Sequence, residues 1–476
     1  MKHLFFTIVV LLFCIPSNAQ RLTPLSKNRL FVMTDIGNEP DDSQTMVRLM
    51  LYSNVIDIEG LVASTSIHKK SPPEVSMIRQ IIKAYGEVRP HLLKHEKGFP
   101  TEKQLLNLVK AGQQEYGMKG VQEGKNSEGS DLLVKAILKE DSRPLWISAW
   151  GGVNTLAQAL LQLQQSKSKN EMDKLIKKLR VYTISDQDDA GFWIPENFPD
   201  LFYIVSPNSY QSSTWIGMAQ PFKGANNEVI SNSWIEKNIQ QGKGSLGRMY
   251  PDVSFGMEGD TPSWLGLIPN GLNNMEHPDW GGWGGRYQYY QPEFDPNERW
   301  LFELKPESHP IWTNTDDTYT PLVKAQWGKT IVPDSIKPIV SNQVTIWRWR
   351  EDFQNDFAAR MDWCVKNYKE ANHPPIVKLS HPETLTVKSG EHFELDARLT
   401  KDPDGDALSF YWMQYPEVSS YKRKIVREPC NVSWLFDMKA PKVTKPETVH
   451  IILKVTDKGS PQLTRYKRVI INILPK

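Results

Sequence analysis

Four carboxylates fall within eight positions of the segment "TDIGNEPDD", residues 34 to 42: Asp35, Glu39, Asp41 and Asp42. Like charges at this spacing repel unless something compensates them. A hard divalent cation would do so, because Ca²⁺ gathers carboxylate, carbonyl and water oxygens in loose geometry. A local explanation competes with the metal. Asp41 or Asp42 at a helix start would cap free N–H groups and complement the helix dipole. That account leaves Asp35 and Glu39 without a role, so the cluster is read as a Ca²⁺ site, with Asn38 and Glu39 placed to meet a ligand.

Two more stretches carry chemistry. "SDQDDAGFWIPENFPD", residues 185 to 200, sets Asp186, Asp188, Asp189 and Glu196 beside Trp193. A carboxyl group against an aromatic wall is pushed toward its neutral form and can serve as a general acid. Asp188 is the first candidate for that task and Glu258, in "MEGDTPSWL", the second. Asp189, Trp193, Glu196 and Asn197 are candidate sugar contacts, and a solvated acidic turn is the alternative for each of the four carboxylates. In "HPDWGGWGGR", residues 277 to 286, four glycines preclude a regular helix. Trp280 and Trp283 are therefore expected on a fixed loop, either stacking on a sugar face or packing beneath the loop, with Arg286 available to a hydroxyl or carboxylate.

The elements that must position these groups alternate between short β-branched runs and helical patterns, the rhythm of a parallel sheet with crossover helices. Leu30 to Met33 is expected as the first strand, Asp42 to Tyr52 as a helix, Ile58 to Ala63 as the second strand and Glu74 to Tyr85 as a further helix. Pro144 to Ser148 and Arg180 to Ile184 read as buried strands flanking a helix from Thr155 to Gln165. Asp35 thus sits at the carboxyl end of a strand, where open α/β sheets bind ligands. Near residue 350 a helical pattern makes Asp356 and Arg360 an i, i+4 pair. "NHPPIV", residues 372 to 377, marks a joint, and alternating segments beyond it predict a small all-β immunoglobulin-like sandwich. The domains are then 28–371 and 373–476. Within the second, Asp402, Asp404 and Asp406 surround Gly405 in a turn of either a calcium-bearing or a plain Asx-rich kind.

The whole chain narrows the setting. Its 476 residues exceed one ordinary core, and a net charge of +2 without long charged blocks gives no pointer to a nucleic-acid or membrane-surface partner. Residues 1–19 read as a signal peptide, with Leu4 to Ile15 as the apolar run, so a periplasmic or secreted location is expected, and no later stretch is long enough for a membrane span. Cys364 and Cys430 remain after cleavage, either as one disulfide or as two lone thiols. Asn431-Val432-Ser433 fits a glycosylation sequon.

The first acidic segment resembles the Asp-Thr-Asp-Pro-Gly-x-Asp-Asp signature of inosine-uridine nucleoside hydrolases, with Thr34-Asp35 on the Thr-Asp step, Asp41-Asp42 on the closing pair and Met33 in place of the first Asp. "GGVNTLAQAL", residues 151 to 160, is similar to a second motif of that family and puts Asn154 where a backbone carbonyl binds the metal. By the same resemblance Asp260 is the remote Ca²⁺ ligand and Gly259 stands where the family carries a histidine. Longer segments, "SDQDDAGFWI", "EGDTPSWLGLIPNGLN" and "PDWGGWGGR", look like those of secreted bacterial nucleoside-hydrolase-like or cellulose-binding proteins with a C-terminal β domain of cadherin or PKD type. The resemblance implies a mostly parallel nucleoside-hydrolase-like sheet flanked by helices, with Asp35, Asp41, Asp42, Asn154 and Asp260 around Ca²⁺ and Asp35 doubling as general base. The expected function is an exported glycosidase acting on an oligo- or polysaccharide through metal-activated water. A non-catalytic carbohydrate-binding protein on the same fold is the alternative, and a nucleoside hydrolase the third reading. A carbohydrate is the expected partner, with homo-oligomer formation left open.

Overall fold

The computed structural model describes residues 26–207, 209–294, 305–320, 322–324, 331–333, 337–426 and 432–476. The signal-peptide segment, Cys430 and the Asn431 sequon lie outside the described residues.

The first strand, β1 (Asn28–Thr34), is buried from Arg29 onward and apolar from Leu30 to Met33 because both of its faces are covered. Leu30 and Val32 enter one core, Phe31 and Met33 the other, as the two-residue strand period demands. Around it lie β2 (Ile56–Ala63), β3 (Val109–Ala111), β4 (Leu145–Ala149), β5 (Leu179–Thr183), β6 (Phe202–Ile204), β7 (Tyr287–Tyr290) and β8 (Ile311–Asn314). The strand order is β3-β2-β1-β4-β5-β6-β8-β7, with only β7 antiparallel to its neighbour. The chain first builds outward from β1 through β2 to β3, then returns to β1's other edge with β4. This reversal leaves a crevice beyond the carboxyl ends of β1 and β4, the position at which such sheets bind ligands.

Helix α1 (Asp41–Tyr52) follows the loop after β1, and α2 (Ser76–His95) follows β2. The helix α2 runs well past the Tyr85 expected as its end. Gly86 is not a stop there; a Cβ on it would lie 2.3 Å from the Glu102 carboxylate, so the glycine permits close packing. The helix Arg350–Trp363 closes the body, its Asp356–Arg360 pair joined at 3.4 Å. Cys364, just beyond it, is a free and buried thiol.

Beyond residue 380 the chain is all β. A four-stranded sheet, made of Thr384–Lys388, Thr464–Leu474, Glu447–Asp457 and Leu408–Gln414 in that order, packs against the pair His392–Asp396 and Leu435–Lys439. Leu395, Trp412, Phe436 and Val469 share the core between them. This unit is anchored to the main body by buried charge: Lys454 Nζ meets Asp352 at 2.7 Å and Arg465 Nη1 meets Asp356 at 2.6 Å. No helix among the described residues is long and apolar enough to cross a membrane.

Candidate functional site

The crevice beyond β1 opens into a cavity of about 640 Å³. Asp35, Glu39, Asp41, Asp42 and Asp260 line it, opposed by Trp150, Tyr210, Trp215, Phe222 and Phe255. Local hydrogen bonds set the acidic side. The Thr34 hydroxyl donates to Asp42 and accepts the Ile36 amide, which folds the strand end back onto the start of α1. Gly37 turns the loop at φ 97°, a conformation that favours glycine. The Ser66 hydroxyl, after β2, donates to Asp35 Oδ2 at 2.5 Å. Glycines let backbone approach the carboxylates from two other sides: a Cβ on Gly151 would lie 2.8 Å from the Asp35 carboxylate, and one on Gly259 2.9 Å from Asp41 Oδ2.

One carboxylate oxygen from each of Asp41, Asp42 and Asp260 lies within 4.8 Å of the other two. Burial pushes the Asp35 carboxyl from its ordinary 3.8 up to about 6, against the opposing Ser66 hydrogen bond. Burial, then the charges of Asp35 and Glu39, takes Asp41 to about 7. Asp42 and Asp260 are raised well above their ordinary range by burial and by their acidic neighbours. Asp260 Oδ2 is buried with no hydrogen-bond donor. An all-oxygen donor set carrying one unpartnered oxygen suits a hard divalent cation, which would reverse every one of these shifts.

The other expected site residues lie elsewhere. Asn154 and Asp188 are both fully buried behind the cavity wall, outside its lining. Asp188 Oδ2 accepts the Asn154 amide at 3.1 Å and Oδ1 the Ala190 amide at 3.1 Å, so this carboxylate ties two helix starts together and has no path to a leaving group. Asn154 itself donates from Nδ2 to Thr65 and to the Glu115 carbonyl. Glu258 is also corrected. Its backbone takes φ 49°, which turns the side chain away from neighbouring Asp260 and into a buried pair with Arg48 at 2.6 Å, further held by the Tyr250 and Thr261 hydroxyls. A carboxylate so engaged cannot act as the general acid.

The sugar contacts expected outside the cluster are dispersed. Asn38 is exposed and off the cavity lining, and Glu196 and Asn197 are exposed on a separate helix. Trp193 packs edge-on to Phe198 at 5.8 Å, and Asp189 lines a smaller cavity with Lys70 and Tyr116. Trp283 is completely buried, wedged between Phe353 and Tyr466 of the C-terminal unit, and Arg286 is locked to Asp317 at 2.6 Å. Trp280 stacks on His277 and meets His450 edge-on. The Gly-rich loop is thus interface packing rather than a sugar platform, because the β unit covers it. Conversely, His68, Gln187, Tyr210 and Trp215 line the cavity without having been singled out. Gln187 sits inside the quoted "SDQDD", whereas Tyr210 and Trp215 come from a loop that carries no periodic signal.

Against known proteins, residues 29–287 match the family described as "Cellulose-binding Sde182, nucleoside hydrolase-like domain". The chain belongs to this family. Residues 392–473 match a companion family, "Cellulose-binding protein Sde0182, C-terminal domain". Among solved structures, a nucleoside hydrolase-related hypothetical protein from Saccharophagus degradans, associated with carbohydrate metabolism, is 33% identical, with a TM-score of 0.77 over 94% of this chain and 100% of its own. The effector protein XOO4466 aligns at 11% identity and a TM-score of 0.28, over 53% of this chain and 72% of its own. No curated protein matches. The two matched segments fall on the mostly parallel sheet with its helices and on the appended β unit. For that unit the family match is to the Sde0182 C-terminal domain, and it does not test the cadherin or PKD likeness expected from the sequence.

Proposed function

We propose that the protein is an exported, Ca²⁺-dependent glycoside hydrolase that cleaves an oligo- or polysaccharide with an activated water. The observation that carries this reading is the convergence of Asp35, Asp41, Asp42 and Asp260 on one cavity floor, with a buried Asp260 oxygen left unpaired. Asp41, Asp42 and Asp260 would hold the ion, with Asp35 at its edge. The bound ion would supply the positive charge that keeps these carboxylates ionised and acidifies water beside them.

The residues of the chain divide the remaining work. Asp35, ionised and oriented by Ser66, accepts the proton of the attacking water. Trp150, Trp215 and Phe222 enclose the reacting sugar and exclude bulk water, which strengthens the electrostatics within. Charge building on the sugar ring in an oxocarbenium-like transition state is offset by the acidic floor. The family description "cellulose-binding" supports the second reading, a carbohydrate-binding protein without turnover, and favours a polysaccharide over a nucleoside for either.

The experiment that separates these readings incubates the protein with polysaccharides, aryl glycosides and nucleosides, with Ca²⁺ or EDTA, beside Asp35→Asn. Turnover of a glycoside, lost with EDTA and in Asp35→Asn, is the expected result. Retention on polysaccharide with no turnover of any substrate identifies the binder, and turnover confined to nucleosides identifies the third reading.

A further inference from the structure

Hydrolysis of an unactivated glycoside needs a proton for the leaving oxygen, and both carboxylates expected to give it are out of reach. The position at which the related nucleoside hydrolases carry a histidine is also closed here. A Cβ on Gly259 would already stand 2.9 Å from Asp41 Oδ2 and 3.4 Å from the Trp215 ring. The donor must come from another loop.

Among the described residues lining the cavity, His68 is the one side chain able to carry positive charge. Its Nε2 lies 2.7 Å from the Tyr210 hydroxyl, and its Nδ1 lies 3.9 Å from Glu39 Oε1. Asp35 adds a further negative charge nearby, and the adjacent Lys69 is tied to the Ile36 carbonyl. Ser66 fixes the spacing between base and donor. Its hydroxyl oxygen accepts the amides of His68 and Lys69, both at 3.0 Å, while its proton goes to Asp35.

We propose that Tyr210, charged with its proton by His68, protonates the leaving oxygen of the glycosidic bond. The assignment rests on the hydrolase reading above. The water oxygen bonds to the anomeric carbon as the bond from that carbon to the leaving oxygen breaks, and the bonding pair stays on the leaving oxygen. Asp35 takes the water proton. The leaving oxygen takes the Tyr210 proton while Tyr210 takes the Nε2 proton of the His68 imidazolium, leaving His68 neutral with its remaining N–H at Nδ1, toward Glu39. Solvent then carries the Asp35 proton back to His68. Tyr210 is the catalytic donor, and His68 is a positioning residue that acts through it.

The test compares Tyr210→Phe and His68→Gln with the wild type, all Ca²⁺-loaded, on two glycosides of the sugar that the panel identifies: one with an alkyl leaving group and one with 2,4-dinitrophenolate, which departs without protonation. Both variants should lose about 10²- to 10⁴-fold in kcat on the alkyl glycoside and stay within about tenfold on the dinitrophenyl glycoside. Equal losses on both leaving groups, or none, overturn the assignment; circular dichroism and Ca²⁺ binding establish that each variant is folded. If the wild type hydrolyses its substrate and Asp35→Asn does not, an even loss in the two variants removes this assignment alone. If the wild type hydrolyses no glycoside, the hydrolase reading falls and takes the assignment with it.

Discussion

Asp260→Asn keeps the volume of the side chain and removes one charge from the crowded floor. In the metal-free protein that charge is a liability. Holding the Asp35 carboxyl at about 6 instead of 3.8 already corresponds to about 3 kcal/mol of unfavourable ionisation at neutral pH. Asp260 is itself raised by burial and then by the charges of Asp41, Asp42 and Asp35, and its own oxygen is buried without a donor. Relieving that repulsion should return about 1–2 kcal/mol. At about 1–1.5 °C per kcal/mol for a body of this size, the variant in EDTA at pH 8 should melt about 1–3 °C above the wild type. With Ca²⁺ the order should invert. A ligand at about one hundred times its Kd stabilises by about 2.7 kcal/mol, and the variant, short of one ligand, should gain little of it. Differential scanning calorimetry at pH 8 with EDTA and with Ca²⁺ reads all four melting temperatures. An Asp260→Asn protein less stable than the wild type in EDTA would refute the repulsion argument. An equal Ca²⁺ gain in both proteins would place the ion elsewhere.

The same carboxylates set a pH dependence. Their folded-state values are raised, so the metal-free native state binds more protons than the unfolded chain, and its stability should fall as pH rises from about 4 to 7. Thermal melts in EDTA across that range should show the decline, and saturating Ca²⁺ should flatten it. Glu258→Gln strands the buried Arg48 charge and should cost about 3–5 kcal/mol in denaturant unfolding while leaving Ca²⁺ affinity at the folded site unchanged. Trp283→Ala should cost about 3–5 kcal/mol through the cavity it leaves between the two units, with retention on polysaccharide columns unaltered.

Much of the fold was legible because its signals are local. The apolar run of β1, the helical spacing of α1 and the alternation in the C-terminal strands all report the face each element buries. The acidic cluster was legible for the opposite reason: Asp35, Glu39, Asp41 and Asp42 violate the expectation that like charges stay apart. What escaped depends on side-chain direction and on contacts between distant segments. Glu258 and Asp260 are two residues apart, yet one φ of 49° sends the first to Arg48 and leaves the second on the cavity floor. For the tryptophans of the Gly-rich loop the sequence left sugar stacking and packing beneath the loop both open, and only the contacts with the C-terminal unit favour packing. His68 and Tyr210 are 142 positions apart in a chain that gives neither a periodic context, and only the folded loops join them.

Crystals grown with Ca²⁺ and measured near a wavelength that reveals its anomalous signal would test the central claim most directly. The account predicts one peak bounded by oxygens of Asp41, Asp42 and Asp260, within reach of Asp35. Well-ordered carboxylates around solvent alone, with no peak between them at saturating Ca²⁺, would contradict it.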